Sequence, residues 1–185
     1  MTTGWSRAAL ALAASVGLLS SESVALSSGE CAGLSVQVRG LPEAASAECE
    51  SGNIGGGGDQ GSGSDEFIRI VSETSILIVS HAHVGRHTYL RRLSVKDIIG
   101  NFRGFDSVDG WGEERESGDF TVRPFRAEMS GGNGLACFGF SLYSGHVART
   151  TGYRHHIGGF YCDFGGMPVT DVRIDEVVGS IEYNF

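Results

Sequence analysis

Proline is scarce in this chain, and so are long hydrophobic runs. Only 3 of the 185 residues are proline, whereas 29 are glycine, and this balance predicts flexible loops rather than stiff spacers. The apolar, uncharged run near the N-terminus extends only from Ala8 to Leu19, which is shorter than the ~20 residues that a membrane-spanning helix needs. We therefore expect no transmembrane helix after removal of a signal peptide.

Positively charged residues are also few. The chain has 14 lysines and arginines against 22 aspartates and glutamates, which gives a net charge of −8 at pH 7. An acidic chain repels the phosphate groups of nucleic acids and of anionic membrane surfaces. We therefore expect no nucleic-acid partner, and a protein or another component of the cell envelope is expected instead.

Several motifs that mark enzymes are missing. The sequence contains no GxSxG, no HExxH and no Walker loop, and no CxxC pair that would indicate a redox site or a zinc ribbon. A cysteine nucleophile at Cys137 or Cys162, assisted by His146, His155 or His156, requires that these cysteines are not in disulfides. The sequence accordingly favours binding over catalysis.

The first 25 residues have the features of an export signal. A short segment with one charged side chain, Arg7, precedes the apolar run. Small residues follow at Ser23 and Ala25, the positions that define a signal-peptide cleavage site. We predict a signal peptide over residues 1–25 and a mature protein that is periplasmic or extracellular.

The cysteines agree with export. All four, Cys31, Cys49, Cys137 and Cys162, follow the proposed cleavage site. An even number of cysteines in an oxidising compartment indicates disulfides, and three pairings are possible. The interpretation that we favour is nearest-neighbour pairing, Cys31 with Cys49 and Cys137 with Cys162, in which each closed loop contributes roughly 3 kcal/mol.

Composition divides the mature chain into two parts. Residues 26–66 hold the first two cysteines, one short strand in LSVQVRGL, and the segment SGNIGGGGDQGSGSDE, which has the composition of a flexible linker. We predict a disordered N-terminal arm over this part. Residues 67–185 are rich in β-branched residues, and we predict one globular α+β domain there: a small antiparallel sheet with a C-terminal helix and one short internal helix.

Helix-start signals place the two helices. Ser94 followed by Asp97 predicts the start of the short internal helix. Thr170 is the predicted N-cap of the C-terminal helix, and Asp171 lies favourably in its first turn.

Four segments of the globular part read as strands. They are FIRIVSETSILIVSHAHV, DFTVRPFRAEM, GLACFGFSLYS and YRHHIGGFYCDF. Pro124 cannot donate a ladder hydrogen bond, so its strand is expected at a sheet edge or with a bulge. An antiparallel register that pairs Cys137 with Cys162 places the small Gly139 opposite the large Phe160.

The C-terminal region carries a family resemblance. The segments ACFGF and GGFYCDFGGMPVTDVRIDEVVGSI, within residues 135–182, resemble the C-terminal part of small exported bacterial proteins with no assigned function. The shared pattern is a cysteine strand, a glycine–aromatic–Tyr–Cys strand and a closing helix. The resemblance implies an exported location and disulfide bonds, and no particular activity.

The stretch SHAHVGRHTYLRR contains three candidate metal ligands, His81, His83 and His87. In an unbroken strand these odd-numbered residues share one face, where histidines can bind zinc or copper. Gly85 argues against this geometry because it permits a tight turn, and the nearby arginines disfavour a cation. The alternatives are a metal site at these residues and a solvated or hydrogen-bonding histidine face without a cofactor.

The C-terminal segment SIEYNF supplies a further alternative. Ile181, Tyr183 and Phe185 alternate with polar residues, and this pattern with its terminal aromatic residue resembles the last strand of outer-membrane barrels. Residues 67–185 are too few, however, for eight strands of ~10 residues with their turns and loops.

Taken together, these features of the sequence favour an exported binding or interaction module of the cell envelope. Its alternatives are a metal-binding envelope protein and a small outer-membrane β-barrel.

Overall fold

The computed structural model describes residues 31–41, 46–54, 63–129 and 134–185. The predicted signal peptide, residues 1–25, lies outside these residues. The described residues form eleven strands and two short helices. In chain order these elements are β1 (Val36–Val38), β2 (Ser46–Ile54), β3 (Gly63–Val71), β4 (Ser75–Val84), β5 (Leu90–Arg91), α1 (Val95–Asn101), β6 (Ser107–Asp109), β7 (Arg115–Ser117), β8 (Phe120–Glu128), β9 (Gly134–His146), β10 (Gly152–Asp163), α2 (Asp171–Gly179) and β11 (Ile181–Tyr183).

Nine of the strands form one antiparallel sheet. Its order is β2-β3-β4-β10-β9-β8-β6, with β5 paired to β10 and β7 paired to β8, while β1 and β11 pair with each other. The predicted α+β class with a small sheet is therefore wrong, because the described residues are mostly β and the helices have only 7 and 9 residues. Helix caps are local sequence signals, whereas pairing between strands far apart in the chain leaves no comparable local signal.

Both faces of the large sheet are covered by other elements. One face packs against β1, α2 and β11. The buried aromatic residues of this core are Phe120, Phe138, Phe140 and Tyr161. The opposite face packs against α1, whose Val95 and Ile99 are completely buried. The sheet therefore lies between two covering layers, and burial of apolar side chains on both faces stabilises it.

Both predicted helix starts are confirmed. The Ser94 hydroxyl accepts a hydrogen bond from the Asp97 backbone N–H at 3.1 Å, and the Thr170 hydroxyl accepts one from the Arg173 N–H at 3.3 Å. These caps satisfy backbone donors that the first helical turn leaves without partners. Within the described part of the chain, no helix is long and apolar enough to cross a membrane.

The prediction of a disordered N-terminal arm is wrong. β1 lies in the two-stranded sheet, and β2 forms an edge of the large sheet through continuous pairing with β3. The predicted linker contributes residues 51–54 and 63–66 to these two strands, and its residues 55–62 lie outside the described ones. The Gly- and Ser-rich composition of this segment did not indicate the pairing of β2 with β3. An edge strand can form its backbone hydrogen bonds on one side without burying apolar side chains.

Both predicted disulfides are confirmed. Cys31–Cys49 joins the segment before β1 to β2, and Cys137–Cys162 joins directly opposed residues of β9 and β10. In the same register Gly139 lies opposite Phe160, as predicted. No cysteine among the described residues is free. The alternative of a nucleophile at Cys137 or Cys162 is therefore wrong.

Pro124 lies inside β8 without interrupting the sheet. β9 pairs with one side of β8, and the short strands β7 and β6 pair with residues 120–122 and 126–128 on the other side. Pro124 falls between these short strands, and its carbonyl accepts a hydrogen bond from the Gly112 N–H at 2.9 Å. The missing N–H therefore faces a gap in the pairing, where the strand behaves as an edge.

Candidate functional site

The histidine-rich end of β4 is followed by a loop that leads into β5, which pairs with the same side of β10 as β4 does. His83 is the partner of His155 on β10, and Leu90 on β5 is the partner of Tyr153. Six residues separate His83 from Leu90, whereas only Arg154 separates their partners. The chain therefore neither runs straight through Gly85 nor folds back on β4, and the extra residues bulge out before β5 resumes the pairing with β10.

Arg154 holds this loop in place. Its guanidinium donates hydrogen bonds to three loop carbonyls, those of Gly85, Arg86 at 3.1 Å and Thr88 at 3.3 Å. His87 lies exposed in the turn that these bonds define. The loop therefore separates His87 from His81 and His83, which remain on β4.

His81 is buried and bound to a carboxylate. It is 3% exposed, and its Nδ1 lies 3.2 Å from Oε2 of Glu66 on the neighbouring strand β3. Burial raises the pKa of Glu66, but hydrogen bonds from Ser35 and His81 outweigh this effect and lower the pKa below its ordinary value. An ionised carboxylate only accepts hydrogen bonds, so Nδ1 of His81 carries the proton.

Glu66 also attaches β1 to the large sheet. Its carboxylate accepts hydrogen bonds from the Ser35 N–H at 2.9 Å, the Ser35 hydroxyl at 2.9 Å and the Val36 N–H at 3.2 Å. The same carboxylate bonds His81. One side chain therefore couples the position of β1 to the orientation of a buried histidine.

His155 extends the chain of hydrogen-bonded groups. Its Nδ1 lies 3.3 Å from Nε2 of His81, and the two ring planes differ by 5°. When His81 is neutral its Nε2 accepts, so Nδ1 of His155 donates and Nε2 of His155 keeps its lone pair. Burial, followed by the nearby charges of His83, His81 and Arg154, lowers the pKa of His155 to about 4. This imidazole is therefore neutral at pH 7.

Two aromatic rings lie against these histidines. Phe185 stacks on His155 with ring centroids 4.2 Å apart, and Tyr183 stacks on Phe185 at 5.2 Å. The Tyr183 hydroxyl donates to Asp119 at 2.6 Å. Burial and the neighbouring Asp119 carboxylate raise the pKa of Tyr183 to about 12. We call the group formed by Glu66, His81, His83, His155, Tyr183 and Phe185 the histidine–aromatic cluster.

An open pocket lies beside the histidine–aromatic cluster. Its volume is about 430 Å³, which falls within the range typical of small-molecule sites. The residues that line it are Asp119, Leu142, Ser144, Tyr183, Asn184 and Phe185. The pocket thus combines aromatic ring faces with a carboxylate, a hydroxyl and an amide, so it can contact both apolar and hydrogen-bonding groups of a ligand.

The neighbouring His156 belongs to the other face of the sheet. Its ring stacks on Tyr143 with centroids 4.3 Å apart, and its Nε2 is buried without a hydrogen-bond partner. Burial, with a smaller contribution from the charge of His81, lowers the pKa of His156 to about 4. His156 therefore contributes a neutral, partly unsatisfied imidazole to the structure and not a ligand to the cluster.

The sequence identified only part of this site. His81 and His83 lie in the histidine–aromatic cluster, but His87 does not join them, and no three or more His, Cys, Asp or Glu side chains of the described residues form a group suited to holding a metal ion. His155 and Glu66 were missed because they come from other strands, and His155 is 74 positions from His81. The signal that could have found His155 is its place in YRHHIGGFYCDF, the predicted strand that contains Cys162.

Comparison with known proteins adds no further identification. No protein family, curated protein or solved structure matches this chain. The fold and the site together define a disulfide-bonded, mostly β protein with a histidine–aromatic cluster beside an open pocket.

Proposed function

We propose that this protein is an exported binding module of the cell envelope whose ligand occupies the pocket beside Tyr183 and Phe185. The observation that carries the proposal is the juxtaposition of these ring faces with hydrogen-bonding groups of Asp119, Ser144 and Asn184. The two disulfides support a location outside the reducing cytoplasm. The role is therefore recognition of a component of the envelope, and no catalytic step is invoked.

The chemistry of the pocket fits a neutral saccharide. The partly exposed ring of Phe185 offers an apolar face against which the C–H groups of a sugar can pack. Asp119, Ser144 and Asn184 offer acceptors and donors for hydroxyl groups. The net charge of −8 disfavours an anionic ligand. The occupant that we propose is therefore an uncharged sugar unit of an envelope glycan.

Binding is tested by calorimetric titration of the purified, disulfide-intact protein with the trimer of N-acetylglucosamine and with cellotriose. We expect saturable binding of at least one probe, weakened at least tenfold by Phe185→Ala and by Asp119→Ala because each removes a different wall of the pocket. Met167→Ala is the matched control, since Met167 is an exposed apolar residue that does not line this pocket. No binding of either trimer, or equal affinities in all variants, would contradict the proposed ligand.

Export is tested separately. The full chain is expressed in a bacterial host, and the fractions outside the cytoplasm are analysed by mass spectrometry of the intact protein. We expect a product that begins at residue 26 and has all four cysteines oxidised. Accumulation of the uncleaved chain with reduced cysteines in the cytoplasm would argue against an exported protein, whatever the pocket binds.

A further inference from the structure

We propose that an acidic polysaccharide binds the end of the large sheet that the Gly85 loop, β5 and the β9–β10 turn form together. This surface carries one exposed aromatic residue and four exposed arginines, and we call it the basic patch: Tyr89, Arg86, Arg91, Arg92 and Arg149. The inference goes beyond the proposed saccharide site, because it concerns a charged ligand and uses none of the residues that line the pocket beside Phe185.

Charge is distributed unevenly along the chain. Six of the 14 lysines and arginines fall within residues 74–96 and 129–162, whereas none of the 22 aspartates and glutamates does. These two segments contain β4, β5, β9 and nearly all of β10, and pairing in the sheet brings them together. The net charge of −8 therefore arises from the rest of the molecule and does not describe this end of the sheet.

Backbone pairing places the Gly85 loop beside the β9–β10 turn. Arg91 on β5 is the partner of Gly152, and the Val147 N–H donates to the Gly152 carbonyl at 2.9 Å, where it closes the turn that holds Arg149. The Tyr89 ring lies against Gly152, since a Cβ atom added to this glycine would overlap the ring. The basic patch therefore joins arginines of two chain segments next to one partly exposed aromatic ring.

The arginines of the basic patch are available to a ligand. Among the described residues, no carboxylate forms an ion pair with any of them. Arg92 donates to the Thr121 hydroxyl at 3.4 Å, and that hydroxyl donates to Glu116, so the patch ends at Glu116. The other three arginines have no side-chain partner within the described part of the chain. Guanidinium groups bind carboxylates through two parallel hydrogen bonds, so this surface fits a polymer that carries carboxylate groups.

The conformation of Arg149 points to a role for its side chain. Of the residues that the structure describes, Arg149 alone has a positive φ without being glycine, at 64°. Glycine and asparagine adopt this conformation more easily than a residue with a long side chain. Because the turn itself does not favour an arginine, the guanidinium that it presents to solvent explains the residue better than the backbone does.

The shape of the ligand follows from the small extent of the basic patch. Salt screens charges that are more than ~8–10 Å away, so a narrow polymer on the patch interacts mainly with the arginines. A planar anionic membrane would also approach carboxylates elsewhere on the molecule. The disulfides indicate an oxidising compartment, which favours an envelope polysaccharide over nucleic acid. This step rests on the exported location, which intact-protein mass spectrometry tests separately. A polyuronate offers carboxylates to the arginines and C–H groups to Tyr89.

The test is calorimetric titration of the purified, disulfide-intact protein with hexagalacturonate at neutral pH. We expect saturable binding that weakens when NaCl is raised from about 20 to about 200 mM, because salt screens the charges involved. Arg86→Gln, Arg91→Gln and Arg149→Asn should each weaken binding about threefold, since single exposed ion pairs contribute little, and the triple variant should weaken it about tenfold or more. Arg149→Asn should be at least as stable in urea as the parent, because asparagine tolerates the positive φ.

Controls separate the basic patch from other sites. Arg69→Gln removes the same charge from an arginine that is paired with Glu48, and it should leave the affinity for hexagalacturonate unchanged, as should Phe185→Ala in the proposed saccharide pocket. Absence of binding, or equal affinities in the triple variant and the parent, would overturn the inference. An equal loss in Arg69→Gln would refute a localised patch. Tighter binding of a single-stranded oligonucleotide or of phosphatidylglycerol vesicles would refute the assignment to a polysaccharide.

Discussion

Single residues in this protein are constrained by close approaches that the sheet and its covering helices impose. Gly139 lies in β9 beneath α1, and a Cβ atom added there would lie 2.7 Å from side-chain atoms of both Val95 and Ile99. Real Cβ atoms do not approach other atoms so closely, so either the helix or the strand must move. The glycine opposite Phe160 is therefore required by packing and not by backbone flexibility.

Substitution at Gly139 should expose this constraint. We expect Gly139→Ala to lower the free energy of unfolding by about 1–3 kcal/mol because it overpacks the contact with α1. Gly134→Ala is the matched control in the same strand, since a Cβ there meets no atom within 4 Å, and its effect should stay within about 0.5 kcal/mol. Urea denaturation measures both values, and equal effects would show that α1 does not pack on Gly139 as described.

His156 determines part of the pH dependence of stability. Its pKa in the folded protein is about 4, below the ordinary value of 6.5, because burial disfavours the charged ring. The unfolded chain therefore takes up a proton first as the pH falls, so stability decreases between pH 6.5 and 4. Its buried Nε2 also lacks a partner, which destabilises the folded state at every pH.

His156→Phe should remove both effects while keeping the stack on Tyr143. We expect a gain of about 1 kcal/mol at pH 7 and a flatter dependence of stability on pH between 6.5 and 4, measured by urea denaturation at several pH values. His155, whose pKa is also about 4, contributes to the slope that remains. His87→Phe, in the exposed turn, serves as the control. A variant with the wild-type slope would show that His156 does not titrate in this window.

At the scale of elements, Glu66 determines how firmly β1 is held. The carboxylate accepts hydrogen bonds from two backbone N–H groups and one hydroxyl of residues 35 and 36, and it also bonds the buried His81. Because its pKa is lowered in the folded protein, this contribution is complete above pH 4.5 and is lost as the pH falls below that value. β1 is thus attached by charge as well as by its pairing with β11.

Glu66→Gln should therefore loosen β1 selectively. We expect a loss of about 2 kcal/mol, since the hydrogen bonds involve a charged acceptor in a partly buried site. Hydrogen exchange should accelerate at the backbone amides of Ser35 and Val36 more than in the central strand β9. Glu48→Gln is the control, because the exposed pair of Glu48 with Arg69 contributes at most about 1 kcal/mol. Uniform acceleration across the sheet would contradict a local role for Glu66.

At the scale of the whole molecule, the sequence predicted the features that neighbouring residues or a disulfide define. It did not predict which distant strands pair with each other. The caps at Ser94 and Thr170 and the Cys137–Cys162 register were predicted correctly because neighbouring residues or a covalent bond define them. The nine-stranded sheet was underestimated because its edge hairpin lies in a segment whose composition resembles a linker. The same limit applies to the site, where His155 reaches His81 only through pairing of β10 with β4.

The two disulfide bonds differ in how exposed they are to solvent. Cys137 and Cys162 are 2% and 0% exposed between β9 and β10, whereas Cys31 and Cys49 are partly exposed at the edge strand β2. Reduction requires that a thiolate reach a sulfur atom, so access controls the rate in the folded protein. The Cys137–Cys162 bond should therefore open only when the sheet itself opens.

Limited reduction of the native protein tests this difference. With a mild thiol reductant at neutral pH, alkylation and peptide mass mapping should find Cys31 and Cys49 labelled first, while Cys137 and Cys162 stay protected until urea is added. In urea the two bonds should be reduced at similar rates, because unfolding removes the difference in access. Equal labelling of all four cysteines without urea would mean that β9 and β10 separate readily in the native state. That outcome would conflict with the central position of these strands in the sheet.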